Sequence, residues 1–320
     1  MPELIPEATS ELTPEPTPAL VSPLSRKVAA AGIELAATCC GSETAKRTVF
    51  LLAPFPLDAW TWRRMLPELA KRGYRAIALD LRGLGHSDLQ PGEVDLPRLA
   101  TEVEGAIRSL GSPRFVVVGS GIGGTVAWTL AHRHMERLAA IVTVNAPHPP
   151  ISYKVPAASP KRRLLPRSIT ARRLQDPQFV SDLILGSSLD SPATSAVHPQ
   201  PVHSQGSAHP LREVAAHYQH AFARPTAAKA AYETFRAITH LSLADRKLLT
   251  TQITIPVNSI RTTGNPYIPG KAFADDADFA PHLKVHTLPN CGHYPQEEQP
   301  AAFNRLLLEI LDTMFQSSGF

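Results

Sequence analysis

FVVVGSGIGGTVAW, Phe115–Trp128, runs from a block of β-branched residues into a glycine-rich turn and then into apolar residues at helical spacing. That order reads as a buried strand, a tight turn and a helix. In an enzyme, a nucleophile stands at such a turn between small flanking residues. The flanks here are Gly119 and Gly123, with Gly124 behind, and the residue in the central place is Gly121. Glycine relieves backbone strain that other residues bear at a turn of this kind, of order 1–3 kcal/mol. The turn is therefore expected to form and to present no attacking atom, and the volume vacated above Gly121 is expected to admit a substrate group or a water. Ser120 stands one residue earlier. Side chains alternate in direction along a strand, so its hydroxyl is expected on the other side of the turn, bonded to neighbouring backbone.

On either side of this stretch, strands and helices alternate. KVAAAGIELAATCC reads as a strand pair, RTVFLLAPF and YRAIALDL as buried strands, and AWTWRRMLPELAKRG as a helix stopped at Gly73. LPRLATEVEGAIRSLG places Leu99, Val103, Ile107 and Leu110 on one helix face ahead of Gly111, and LAAIVTVNAP is a further strand. Continuous apolar strands separated by helices predict an α/β fold, a mostly parallel β-sheet covered by helices on both faces. The alternation breaks over residues 151–240, which are rich in Pro, Ser, His and Arg. LREVAAHYQHAFARP and TAAKAAYETFRAI read as helices there, and residues 186–210 as a long loop. ITIPVNSIRTT, LKVHTLPN and PAAFNRLLLEILDTMF then resume the sheet and close it with an amphipathic helix. The expected organisation is a core of residues 26–150 and 241–320 with a helical cap insertion at 151–240. Residues 1–25 hold Pro2, Pro6, Pro14, Pro16, Pro18 and Pro23 among four glutamates, with no Lys or Arg, and are expected to be a disordered tail.

The formal net charge is +4, and the four acids of the tail leave the rest of the chain with a surplus of eight positive charges. The densest basic run, Lys161, Arg162, Arg163, Arg167, Arg172 and Arg173, has no interleaved aromatic residues. It reads as a solvated face, and no nucleic-acid partner is expected. No apolar run approaches the roughly 18–20 residues that span a bilayer. No basic segment followed by an apolar one opens the chain, so neither a membrane anchor nor a signal peptide is expected. Cys39, Cys40 and Cys291 make no disulfide framework. A cytoplasmic location is expected, and with no zinc or iron ligand spacing, no metal or cofactor.

Four motifs occur in order: FPLDAWTWRRMLPELAKRGYRAIALDLRGLGHSD at Phe55–Asp88, NAPHP at Asn145–Pro149, YQHAFARP at Tyr218–Pro225 and CGHYPQEEQP at Cys291–Pro300. Together they make the chain resemble α/β-hydrolase-fold proteins, closest to the epoxide hydrolase and haloalkane or haloacetate dehalogenase branch, from about Val28 onward. The resemblance implies a nucleophile on the tight turn, a histidine base and an acid that orients it. Gly121 matches the nucleophile position, where relatives place Ser, Asp or Cys, and His293 matches the base. The acid position matches Asn265 in IPVNSIRTTGNPYIP, or Asn145 where relatives draw the acid from the strand before the insertion. Asparagine accepts a hydrogen bond from imidazole but carries no charge to stabilise imidazolium. Asp275, Asp276 and Asp278, further along, could supply a rescue charge but are expected on a solvated turn. The implied oxyanion hole consists of the backbone N–H of Phe55, after Ala53 and Pro54 where relatives have His-Gly, and that of Ile122 at a helix N-terminus. Epoxide hydrolases protonate the epoxide with tyrosines of the insertion, one of which matches Phe235. Trp60, Asn145, Tyr153, Tyr218, Phe235 and Tyr294 complete the candidate substrate contacts.

Nucleophile, acid and epoxide-protonating tyrosine are thus substituted, while the turn glycines and the core pattern remain. The sequence points to a pocket kept for chemistry other than covalent hydrolysis. That chemistry is a cyclisation, elimination or isomerisation of a small, largely apolar molecule, with His293 as general acid and base. Two other readings stay open: a small-molecule-binding protein without catalysis, and an epoxide or ester hydrolase in which His293 activates water directly. The expected partner is a small molecule, and the oligomeric state is not fixed by the sequence.

Overall fold

The strands are β1 (Leu24–Ala30), β2 (Ile33–Cys40), β3 (Arg47–Leu52), β4 (Tyr74–Leu79), β5 (Phe115–Ser120), β6 (Leu138–Val144), β7 (Val257–Thr262) and β8 (Leu283–Leu288), the central ones from the apolar runs and the outer ones from mixed sequence. In the computed structural model they make one sheet in the order β1-β2-β4-β3-β5-β6-β7-β8. β2 pairs antiparallel with β1 and with β4, and all other neighbours are parallel. The structure describes residues 23–90, 92, 94–112, 114–133, 137–149, 169–189, 209–239 and 241–317. Tyr153, residues 1–22 of the expected tail, residues 161–167 of the basic run and residues 190–208 of the expected loop lie outside them. The first strand starts inside the expected tail, because Leu24 and Ser25 pair with Cys39 and Thr38.

Helices α1 (Leu66–Lys71), α2 (Leu96–Leu110) and α3 (Ile122–His132) alternate with the strands. The stretch read as one helix from Ala59 is split into a 3-10 helix, Ala59–Trp62, and α1. Pro67 near the start of α1 has no N–H with which to continue the preceding turn. Between β6 and β7 lie α4 (Ala171–Leu174), α5 (Pro177–Leu185), α6 (Arg212–Tyr218), α7 (Pro225–Thr239) and α8 (Leu243–Leu248). After β7 come α9 (Asp276–Phe279), α10 (Pro295–Glu298) and the closing α11 (Pro300–Ser317).

Two buried clusters flank the sheet. Phe50, Leu52, Phe115 and Val117 pack with Leu99, Val103 and Ile107 of α2 and Val126 and Leu130 of α3. Val49, Leu51, Val116 and Val118 pack with Leu66 and Leu69 of α1 and Phe303, Leu307 and Leu311 of α11. Alternate residues of β3 and β5 therefore enter opposite cores, which is why those strands carry unbroken apolar runs. The register sets Leu52 against Gly119, Ser120 against Val144 and Val144 against Ile260. The segments after β3, β5, β6 and β7 consequently leave the sheet side by side at its carboxyl edge.

Candidate active site

Gly121 caps α3 with φ 51° and ψ −118°, a backbone that glycine adopts freely and other residues only with strain. A Cβ at Gly119 would fall 2.2 Å from the carbonyl oxygen of Gly123, and one at Gly123 would fall 2.5 Å from that of Leu52. The flanking glycines thus let α3 press against β5 and β3. A Cβ built on Gly121 would stand 3.4 Å from His293 Nε2 and 3.0 Å from Pro54 Cβ. The ring of Pro54 therefore takes part of the volume that the sequence alone left open above Gly121.

His293 lies in the loop between β8 and α10 and is 8% exposed. Its Nδ1 stands 3.2 Å from Oδ1 of Asn265. The same oxygen accepts the N–H groups of Tyr267 and Ile268 at 3.0 and 3.2 Å, which fixes the asparagine in an Asx turn. An amide oxygen only accepts, so this partner assigns the proton to Nδ1 and leaves the lone pair of Nε2 facing Gly121. The rings of Tyr267 and Tyr294 stand edge-on to the imidazole at 5.3 and 4.9 Å. Burial pushes His293 down to about 4, so at neutral pH the ring is an uncharged base.

The His293 imidazole is expected to titrate near pH 4, followed by carbon-edited NMR of histidine-labelled protein. A midpoint near the ordinary 6.5 would show a hydrated ring and contradict the geometry. The folded state holds this ring neutral, so its contribution to stability is complete above about 6.5 and is lost as the pH falls through 4. Asp276, held up to about 6 by burial, acts in the opposite direction. The resonance, rather than the melting temperature, therefore isolates the histidine.

The N–H groups of Phe55 and Ile122 donate to no group among the described residues. One follows Pro54 and the other opens α3, so both border Gly121, and the first turn of a helix favours negative charge. The Phe55 ring lies 4.8 Å from Phe235 and 6.3 Å from Phe222, both between β6 and β7. A buried uncharged base beside two backbone donors and a cluster of aromatic rings can take a proton from a small apolar molecule. It can also hold the oxygen on which charge then gathers.

Residues 49–306 match the alpha/beta hydrolase family. The chain belongs to that family. It is 34% identical over 153 residues to Epoxide hydrolase 3 of Xenopus tropicalis, a match that covers 47% of this chain and 41% of that protein. The chain thus spans less than half the length of that relative. It is 28% identical over 292 residues to the AB hydrolase superfamily protein YfhM of Bacillus subtilis, covering 88% of this chain and 95% of that one. Among solved structures, Epoxide Hydrolase A from Mycobacterium thermoresistibile superposes with a TM-score of 0.73 at 22% identity, over 91% of this chain and 98% of that chain. At that identity the likeness speaks for the fold.

Several candidate contacts of this alpha/beta hydrolase family member are taken up by protein partners. Asn145 donates to the carbonyls of Gly292 and His293 at 3.3 and 3.0 Å and accepts at 3.0 Å from the N–H of Thr262, whose hydroxyl lies 3.1 Å from the same oxygen and donates at 2.6 Å to the Gly292 carbonyl. It holds the histidine loop by its backbone, away from the imidazole nitrogens. The Tyr218 hydroxyl donates to Asp58 Oδ1 at 2.7 Å, and that of Tyr294 to the carbonyl of Phe55 at 2.8 Å. The ring of Trp60 is covered by the Arg63 guanidinium at 3.3 Å and stacked on His217 at 3.9 Å. The amide of Asn145 and the hydroxyls of Tyr218 and Tyr294 are thus bonded to protein atoms, and the ring of Trp60 is packed between Arg63 and His217. Asp276 does not lie on a solvated turn. It is fully buried, accepts the N–H of His148 at 3.0 Å and pairs with Arg261 at 3.2 Å.

Ser120 is buried and its hydroxyl has no hydrogen-bond partner among the described residues, in place of the expected bond to backbone. An orphaned buried hydroxyl bears a desolvation penalty of about 1–3 kcal/mol. Ser120→Ala is therefore expected to leave the melting temperature unchanged or raised, and turnover unchanged. A collapse of turnover would identify Ser120 as the nucleophile. Tyr267, the contact of Pro54 with Gly121, and Glu298 are not singled out by sequence reasoning. The Asn-Pro-Tyr spacing of an Asx turn is a signal for the first; the other two depend on tertiary neighbours.

Proposed function

We propose that this family member is an enzyme that transfers protons at His293 without a covalent intermediate. Its substrate is a small, largely apolar molecule, and its reaction is a cyclisation, elimination or isomerisation. The observation that supports this reading above all is Gly121, which has the backbone of a nucleophile turn directed at Nε2 and no atom to attack with. Nε2 takes a proton from the substrate, and the developing oxyanion rests on the N–H groups of Phe55 and Ile122. The imidazolium then returns the proton to another substrate atom, while Asn265 Oδ1 holds Nδ1–H throughout. A base whose conjugate acid sits at about 4 is weak. It fits a substrate whose own proton is acidic, such as a carbon acid between two carbonyls or a phenol. Proton transfer contributes about 10²–10⁴-fold, and positioning supplies the rest. The proposed compartment is the cytoplasm. Among the described residues no helix is long and apolar enough to cross a membrane.

The epoxide hydrolases among the relatives favour a second reading, hydrolysis of an epoxide or ester by water that His293 activates. A panel of epoxides, esters, 1,3-dicarbonyl compounds and phenols in oxygen-18 water separates the two. Product without label supports proton-transfer chemistry. Labelled product with no mass adduct on the protein supports direct hydrolysis. A covalent adduct, or binding across the panel with no product, overturns both.

A further inference from the structure

Gly292, His293 and Tyr294 precede α10 in a loop, yet all of their backbone polar groups are held. The N–H groups of Gly292 and Tyr294 donate to the two carboxylate oxygens of Glu298 at 2.9 and 3.0 Å. The N–H of His293 donates to the carbonyl of Ser187 at 2.9 Å. The carbonyls of Gly292 and His293 accept from Asn145, that of Gly292 also from Thr262, and that of Tyr294 from the N–H groups of Glu297 and Glu298. Glu298 further accepts the Ser188 hydroxyl and the Leu189 N–H, in the turn that follows α5. A Cβ at Gly292 would lie 2.4 Å from the Ser187 carbonyl oxygen and 2.7 Å from a Glu298 carboxylate oxygen. The clasp closes only on a glycine.

We propose that Glu298 is a positioning residue for His293. It grips the backbone on both sides of the imidazole and ties that grip to the turn at 187–189. The consequence for catalysis rests on the reading of His293 as the working base. The direct partner of Nδ1 is a neutral amide oxygen shared by three donors, which holds the ring weakly. Burial raises the Glu298 carboxyl above its ordinary range; while it is ionised, its two hydrogen bonds to the residues flanking the histidine are roughly twice as strong as neutral ones. The orientation that a triad acid gives through the ring is supplied here through the main chain.

The test is the nitrogen-15 imidazole spectrum and titration of His293 in Glu298→Ala, Glu298→Gln and Glu297→Gln proteins, with melting temperatures measured in parallel. The wild type is expected to show one tautomer, protonated at Nδ1. Glu298→Ala is expected to average the tautomers and move the midpoint up from about 4 toward 6.5, as the loop loosens and water reaches the ring. Glu298→Gln keeps one acceptor and is expected to fall between the two, and it carries the test if the alanine variant does not fold. Glu297 is buried and bonded to Thr61, Arg63 and Arg64, so Glu297→Gln is expected to lower the melting temperature without moving the His293 spectrum. A wild-type spectrum and midpoint in both Glu298 variants, or an equal change in Glu297→Gln, overturns the proposal. A wild-type ring protonated at Nε2 instead overturns the reading of His293 as base, and the midpoint shift then judges Glu298 alone.

Discussion

His293→Ala is expected to lower turnover by about 10²–10⁴-fold, the usual worth of a general acid or base, while the fold persists. The two halves of that expectation have separate grounds. Nε2 is the buried basic atom that faces Gly121, and the N–H groups of Phe55 and Ile122, which border the same glycine, donate to no group among the described residues. The loop that carries it is held through main-chain groups by Asn145, Thr262, Ser187 and Glu298, none of which bonds to the imidazole. Asn265 loses one donor in the variant and keeps the N–H groups of Tyr267 and Ile268. The loss should therefore fall on turnover with substrate affinity nearly intact, measured as kcat and KM on a substrate from the labelled-water panel and checked by near-ultraviolet circular dichroism. A variant that keeps more than a tenth of the wild-type turnover removes the histidine from the chemistry.

How far the sequence discloses this molecule depends on the range of the interaction in question. β3 and β5 are legible because a strand covered on both faces is apolar over most of its length. α2 is legible because Asp95 and Gly111 mark its ends and its periodic face meets the core. Gly121 and His293 are legible because the turn and the loop have local sequence signatures. The polar residues around them are not. Whether Asn145 or Tyr218 offers its hydrogen bonds to a ligand depends on Thr262, the histidine loop and Asp58, which lie far away in the chain. Asp276 differs from the half-buried Asp275 and the exposed Asp278 in facing Arg261 across α9 and β7 and in accepting the N–H of His148, and nothing local marks it. The role of Glu298 is hidden for the same reason.

Gly121→Asp is expected to destabilise the protein by about 1–3 kcal/mol, since its left-handed backbone strains any residue with a side chain. It is also expected to turn over no epoxide or ester. The strain is one source of the loss, and crowding is the other, because the new Cβ lies 3.0 Å from Pro54 Cβ. Pro54→Gly in the same chain removes the crowding and leaves the strain, so the double variant should recover part of the loss. Contacting sites of this kind depart from additivity, and denaturant midpoints of the two single variants and the double one measure that departure. The chemical half of the prediction follows from Asn265. A restored carboxylate at position 121 would attack a substrate carbon, but hydrolysis of the resulting ester needs a base that can hold the proton of water. His293 has no carboxylate on Nδ1 with which to stabilise imidazolium. If attack occurs, the ester should accumulate and appear by intact-mass spectrometry as a stable adduct. If the variant instead turns over an epoxide with no adduct and no loss of stability, the turn at Gly121 is not the strained one described, and the case for chemistry without a nucleophile falls with it.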